Sequence, residues 1–157
     1  MVHVLHLGVI DTPYFKAPSK GQKKATASTV TTGDVAEFLE SKYEVMGTFF
    51  KAHGSEIADA LAQSVAGSLE NLMMGAPASQ DVFGEATSEI EDMFKKFIIT
   101  AEMDKLGIPG VPTQAAKDRA SGKRRSSRMK KKRASNSKPI SFYDTGLYEG
   151  SFKAWIE

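Results

Sequence analysis

The chain has 157 residues and a mass of 17.0 kDa, which is room for one ordinary domain. Hydrophobic residues make up 41% and charged residues 25% of it, and both values are near the averages of soluble proteins, so a packed core is expected. There are no cysteines, which excludes disulfides, thiolate metal sites, iron–sulfur clusters and a cysteine nucleophile among these residues.

Charge is strongly segregated along the chain, although the formal net charge is only +2. Between Asp34 and Asp104 there are fourteen acidic and four basic residues, whereas between Lys117 and Lys138 there are eleven basic residues and one acidic residue. The sequence therefore describes an acidic body that carries a basic arm. No apolar run approaches the roughly 20 residues of a membrane span, and the start lacks the positive region of a signal peptide. We expect a protein made in the cytoplasm, with no membrane partner.

The N-terminal residues favour a short strand. Residues 2–10 are rich in aliphatic and β-branched side chains and end at the turn signal Asp11-Thr12-Pro13, so residues 1–15 are assigned to an N-terminal strand. This strand lacks an obvious partner unless it pairs with the C-terminal segment or with another chain. Residues 16–32 contain few apolar side chains and are predicted to be a flexible linker.

Residues 33–106 are predicted to form a helical body of about three amphipathic helices. The first helix begins at Thr32-Gly33-Asp34, where Asp34 and Glu37 have the spacing of a capping box. His53-Gly54-Ser55 predicts the end of this helix and the start of the next, with Gly54 in the left-handed conformation and Ser55 as the N-cap.

The second helix has the clearest helical period of the chain, from about residue 56 to residue 74. Its apolar residues recur at spacings of three and four and are expected to face the core: Ile57, Leu61, Val65, Leu69, Leu72 and Met73. A third helix is expected from about residue 83 to 103 and ends before Gly107-Ile-Pro-Gly-Val-Pro112. Its inward-facing residues are predicted to be Ile90, Phe94, Phe97 and Ile98.

The predicted fold class is therefore α+β, with a mainly helical body and a short N-terminal strand. Residues 107–139 are predicted to form an extended basic arm, and residues 140–157 a short C-terminal aromatic element. Three interpretations of the arm remain open: a solvated tail, a phosphate-binding segment, and a segment that docks on an acidic protein surface such as the body of an adjacent copy. The residues expected to contact a partner or phosphate are Lys123, Arg124, Arg125, Arg128, Lys130, Lys131, Lys132 and Arg133.

The C-terminal element concentrates five aromatic residues between Phe142 and Trp155, which indicates burial on the body or on a partner. Asp144-Thr145-Gly146 matches the tripeptide that carries the catalytic carboxylate of aspartic proteases. That chemistry needs two carboxylates, a cleft and a flap, and only eleven residues follow Gly146. A turn in which Asp144 is the cap and Gly146 the permissive residue is the simpler interpretation.

The C-terminal pattern Asp144-Thr-Gly-Leu-Tyr-x-x-Ser-Phe-x-x-Trp155, behind an acidic helical body and a basic stretch, resembles small virion proteins of long-tailed bacteriophages. These are neck, head–tail joining and tail-completion proteins, and the resemblance extends over about residues 32–157. It implies a non-enzymatic virion subunit, present in several symmetric copies at the connector or tail. Its contacts would be made by strands and arms. The expected assembly motif comprises Phe142, Tyr143, Asp144, Thr145, Gly146, Leu147, Tyr148, Ser151, Phe152 and Trp155.

No catalytic, cofactor-binding or metal-ligating residues are predicted. His3 and His6 are three residues apart on a predicted strand, so they would point to opposite faces and chelate poorly. His53 is expected at the end of a helix. The expected partners are copies of the chain in a symmetric ring, other phage connector or tail proteins, and packaged DNA. The alternative function is that of a nucleic-acid-binding accessory protein that uses the basic arm.

Overall fold

The computed structural model describes residues 3–16, 26–120, 141–142 and 146–157. Over these ranges the chain is mainly helical, with two small antiparallel sheets, which confirms the predicted helical body. None of the described helices is long and apolar enough to cross a membrane. The strands are β1 (Leu5–Val9), β2 (Pro13–Lys16), β3 (Thr26–Thr31) and β4 (Phe152–Ile156). The helices are α1 (Thr32–Tyr43), α2 (Val45–Met73), α3 (Gly84–Ile99), α4 (Glu102–Lys105), α5 (Gln114–Ala120) and α6 (Leu147–Ser151).

The two ends of the chain pair with each other. Strand β1 is antiparallel to β4, with Leu5 opposite Ile156 and Val9 opposite Phe152. Side chains alternate across β4, so that Phe152 and Ala154 are buried while Lys153 and Trp155 face outward. The N-terminal strand therefore finds its partner in the C-terminal segment of the same chain, which was one of the two alternatives.

Part of the predicted linker is a strand. Residues 26–31 form β3, which is antiparallel to β2 through the pairs Pro13 with Thr31 and Lys16 with Thr26. Thr and Val dominate this segment, and β-branched side chains favour a pleated conformation even where they build no core. Within the range predicted as a linker, residues 26–31 are thus a strand, Lys16 belongs to β2 and Thr32 begins α1.

The start of α1 is joined to the end of β1 by side-chain hydrogen bonds. Thr31 is the N-cap and forms a capping box with Asp34, so the box lies three residues earlier than the predicted pair of Asp34 and Glu37. Thr32 is buried, and its hydroxyl donates to the carbonyl oxygen of Ile10 at 2.7 Å. This contact fixes the direction in which α1 leaves the sheet of β1 and β4, called the terminal sheet below.

Helix α2 is one long element where two helices were predicted. Its start is set by Glu44, which adopts the left-handed conformation at φ 47°, and by Glu40, whose carboxylate accepts from the backbone N–H of Met46 at 2.7 Å. The predicted break at residues 53–55 is only a kink, because His53 alone departs from helical geometry. Gly54 is therefore not left-handed, and the chain continues as helix through residues 53–55.

Aromatic rings from α2, α3 and β4 form the centre of the core. Phe152 stacks on Phe94 with ring centroids 3.9 Å apart, and Phe49 meets Phe94 edge-on at 5.2 Å. Phe97 contacts Phe49 from the next turn of α3. All four rings are buried, as are Ile90 and Ile98, so the predicted inward face of the third helix is confirmed. Each such side chain contributes about 1.5–3 kcal/mol of transfer free energy.

The segment after the third helix packs on the body rather than extending from it. Ile108 and Val111 contact the core, and Ala116 of α5 is buried. Ser141 returns to this region, where its hydroxyl accepts from the backbone N–H of Thr113 at 3.0 Å. Residues 107–120 are therefore part of the folded body, which differs from the predicted arm of residues 107–139. Its remaining residues, 121–139, lie outside the described part of the chain.

Replacing Phe94 with alanine is expected to lower the free energy of unfolding by about 3–5 kcal/mol, since the change opens a cavity between three other rings. Urea unfolding at fixed protein concentration measures this loss. Phe50→Ala is the matched control, because Phe50 is 51% exposed and its removal should change stability by about 0.5 kcal/mol or less. Equal losses in the two variants would contradict the proposed core.

Candidate assembly surface

The predicted C-terminal motif is divided between the chain's own core and its surface. Tyr148 and Phe152 are buried against α3, and the Ser151 hydroxyl donates to the Tyr148 carbonyl oxygen at 2.9 Å. Phe142 lies edge-on to Tyr43 with centroids 5.2 Å apart. These residues hold the end of the chain on the body of the same molecule.

Among the motif residues that the structure describes, the exposed part is small. Trp155 is 44% exposed, and its ring stacks on His6 of the neighbouring strand at 5.4 Å. Gly8 allows this position, because a Cβ there would lie 3.0 Å from the indole. Leu147 is also exposed, and Gly146 adopts the left-handed conformation at φ 79° as the N-cap of α6. The other motif residues, Tyr143, Asp144 and Thr145, and the basic residues from Lys123 to Arg133 lie outside the described ranges.

The distal part of α2 is an apolar surface that sequence reasoning assigned to the core. Its predicted inward stripe is buried at Ile57 but exposed further along the helix, and Met73 reaches 81% exposure. Helix α3 covers only the first part of α2, because the connection between them folds back and the Ser64 hydroxyl donates to the Val82 carbonyl oxygen at 2.5 Å. About 14 Å of α2 projects beyond that contact. The exposed large apolar residues of this tip are Val65, Leu69, Leu72, Met73 and Met74.

The middle of the hairpin formed by α2 and α3 carries acidic residues and no Lys or Arg. From Ala52 to Phe94 the sequence contains eight Asp and Glu residues and no Lys or Arg. Such a surface repels a second copy of itself and attracts a cationic partner. The exposed apolar side chains and the single sign of charge together favour an interaction site at the hairpin.

A cleft of about 860 Å³ lies beside the hairpin, between β4 and the connection that precedes α3. Residues 154–157 line one side and residues 80–83 the other, and Val65 of the exposed stripe also contributes. His3 lies against Phe83, with ring centroids 5.5 Å apart. The cleft is therefore continuous with the distal part of α2.

The edge of β4 that faces away from β1 is partly open. Val4 and Glu157 exchange both of their backbone hydrogen bonds, so by alternation Ala154 and Ile156 turn their N–H and C=O groups away from β1. The Ala154 N–H reaches the Glu91 carboxylate of α3 at 3.5 Å. Ile156, two residues further along β4, turns its backbone groups to the same side and lines the cleft. An open strand edge is a template for an added extended segment.

A titratable contact joins the kink of α2 to α4. The ring of His53 hydrogen-bonds Glu56 through Nδ1 and Glu102 through Nε2, the latter at 3.0 Å, and it packs between Phe49 and Phe97. Burial lowers the pKa of His53, but the hydrogen bonds and charges of the two carboxylates raise it by more, so its pKa is above the ordinary value of 6.5. The sequence placed His53 at a helix end and offered no signal for the distant Glu102.

The described residues contain no group of three or more His, Asp or Glu side chains placed to hold a metal ion. Burial raises the pKa of Tyr148, whose hydroxyl has no hydrogen-bond partner among them. Comparison of the chain with protein-family models, curated proteins and solved structures found no match.

We expect the free energy of unfolding to depend on pH through His53. Because its folded pKa is raised, its contribution to stability is complete below 6.5 and is lost as the pH rises through the folded value. The pKa of Glu102 is lowered, since the hydrogen bonds of Thr100 and His53 outweigh burial, so its contribution is present above 4.5 and is lost as the pH falls through the folded value. Urea unfolding of wild type and of His53→Gln across this range measures the effect. The variant should lose less stability than wild type above pH 6.5, and parallel curves would contradict this assignment.

Proposed function

We propose that this chain is a structural subunit of a bacteriophage virion, of the neck, head–tail connector or tail-completion kind, and that it acts as a multi-copy ring. The copies would be made in the host cytoplasm and incorporated into the particle. Other connector or tail proteins and packaged DNA would be further partners. The resemblance of the C-terminal motif supplies the virion part of this proposal, and the surface of the hairpin supports the multi-copy part.

The observation that carries the proposal is the exposed apolar face of distal α2. Single exposed apolar residues are normal on a protein surface, but contiguous ones mark sites of association. Leu69, Leu72 and Met73 are each more than half exposed on one projecting helix. Burial of such side chains in an interface would contribute about 25 cal/mol per Å² of apolar area. A subunit whose work is packing needs this surface, and it needs no catalytic site.

Charge segregation supports the same function. The acidic hairpin and the basic run between Lys123 and Arg133 are complementary surfaces on one chain. Copies of such a chain can associate through opposite charges while the formal net charge of each copy stays at +2. The sequence predicted that the C-terminal residues would connect subunits. In this proposal they join the two ends of one chain in the terminal sheet, whereas the hairpin and the basic run connect subunits.

The basic run is also suited to phosphate, which keeps nucleic-acid binding as a second candidate function. Eight of the eleven residues from Lys123 to Arg133 are Lys or Arg, a composition typical of segments that displace counterions from DNA. This function alone would leave the exposed face of α2 without a role. We therefore place DNA binding second, as a contact that a ring subunit near packaged DNA could also make.

The wild-type chain is expected to form a multimer of defined mass, and Leu69→Gln with Leu72→Gln should shift it to the 17.0 kDa monomer. The reason is that both side chains are exposed in the single copy, so polar replacements remove association energy while leaving the core intact. Sedimentation velocity over a range of concentrations measures the mass. Phe38→Gln serves as the control, because Phe38 is equally exposed but belongs to α1. A wild-type chain that stays monomeric at every concentration would refute the multi-copy role.

The virion role has its own test. A stop codon in this reading frame within a phage genome should yield unjoined heads and tails by electron microscopy, and expression of the chain in trans should restore complete particles. Normal particles without the chain would refute the virion assignment, whatever the oligomeric state proves to be.

A further inference from the structure

We propose that the cleft between β4 and the start of α3 is the docking site for the basic run, Lys123 to Arg133, of a second copy of this chain. The proposal rests on the multi-copy function above and identifies which two surfaces meet. The cleft supplies an open strand edge, an apolar wall and negative charge, and the basic run supplies the complementary charge.

The cleft has the features of a site for an extended segment. Ile156 turns its main-chain N–H and C=O away from β1, on the side where Phe83 and Thr87 line the cleft. Main-chain hydrogen bonds to such an edge do not depend on the side chains of the added segment. Val65 and Phe83 provide apolar contacts that a single large side chain could fill. Met129 is the only large apolar side chain within the basic run.

Charge decides which occupant fits. The charged residues that line the cleft are Asp81 and Glu157, and the neighbouring Glu91 pairs with Lys153 at 2.7 Å. The hairpin that forms one side of the cleft contains no Lys or Arg between residues 52 and 94. A second acidic hairpin would bring like charges together, which is unfavourable for association. The basic run is the one segment of the sequence with eight positive charges in eleven residues, so it is the complementary surface.

The two surfaces are unlike each other. The cleft is at the start of α3, near Phe83 and Thr87. The basic run lies outside the described ranges, and the chain re-enters them at Ser141, whose backbone N–H donates to the Asp104 carboxylate at 3.2 Å, just beyond the other end of α3. The 16 residues of α3 separate its two ends by about 24 Å. An interface between two unlike surfaces is heterologous, and repeating it produces rings or filaments.

The competing occupant of the cleft is the basic run of the same molecule. Ten residues of extended chain span about 33 Å, so a run within one molecule could also reach the cleft. Mass measurement separates the two cases, because docking within one chain leaves the molecule monomeric. The experiment therefore uses two variants of the full chain that each lose a different half of the interface.

The cleft variant carries Asp81→Lys and Glu157→Lys, and the run variant carries Lys130→Gln, Lys131→Gln, Lys132→Gln and Arg133→Gln. Each variant alone is expected to sediment mainly as a monomer. Mixed in equal amounts they should form one-to-one pairs, because the intact basic run of the first fits the intact cleft of the second and no further contact can follow. The control carries Glu37→Lys and Glu44→Lys, which make the same change in net charge at exposed positions that lie outside both the cleft and the acidic residues 52–94, and it should keep the wild-type mass.

Each outcome has one meaning. Variants that are monomeric alone but form no pairs when mixed would overturn a heterologous interface between these two surfaces. Variants that keep the wild-type mass would overturn the docking site while leaving the multi-copy function in place. A wild-type monomer whose Ile156 amide becomes faster in hydrogen exchange in both variants would show docking within one chain, and it would overturn the multi-copy function as well.

Discussion

The pairing of β1 with β4 is the contact on which the rest of the fold depends. It brings residues from the two ends of a 157-residue chain into register and presents Phe152 to the aromatic rings of the helical hairpin. Closing so long a loop costs entropy that only a well-packed interface can offset, and the stacked rings of Phe152 and Phe94 provide it. The hydroxyl of Thr32 then ties α1 to the end of β1. Without the sheet, α3 would lose the element that covers one side of its buried face.

This closure changes how the two ends of the chain are interpreted. The sequence predicted an N-terminal strand without an obvious partner and a C-terminus rich in aromatic residues. In the described residues these two ends pair with each other as β1 and β4. The distal part of α2 is exposed instead, because α3 starts only about level with Ser64 and its 16 residues extend away from the tip. The exposed apolar surface of α2 thus follows from the unequal lengths of the two helices.

Sequence could predict the helices but not everything that covers them. In α3 the apolar period coincides with burial at Ile90, Phe94 and Phe97, since β4 and α2 both pack there. In α2 the same period continues to Met73 without a covering element, because periodicity reports that side chains share a face and says nothing of what lies against it. The partner of β1 is about 150 residues away, and no local pattern specifies such a contact. The hydrogen bond from His53 to Glu102 is likewise not specified by any local pattern. Glu102 belongs to α4, which begins after Ala101, and Ala101 adopts the left-handed conformation that non-glycine residues disfavour.

The separation of charge along the sequence has a physical consequence for the proposed assembly. At an ionic strength of about 0.1 M the screening length is roughly 10 Å, so opposite charges further apart than this attract each other little through solvent. In the proposed interface, the cleft and the basic run would therefore attract each other only at short range. Contact would remove water and bring their opposite charges within a screening length, where the attraction is stronger. Because each added copy carries a formal net charge of only +2, repeated association need not accumulate repulsion. A chain whose opposite charges were evenly mixed could have the same net charge, but it would lack two distinct surfaces and hence a direction in which to assemble.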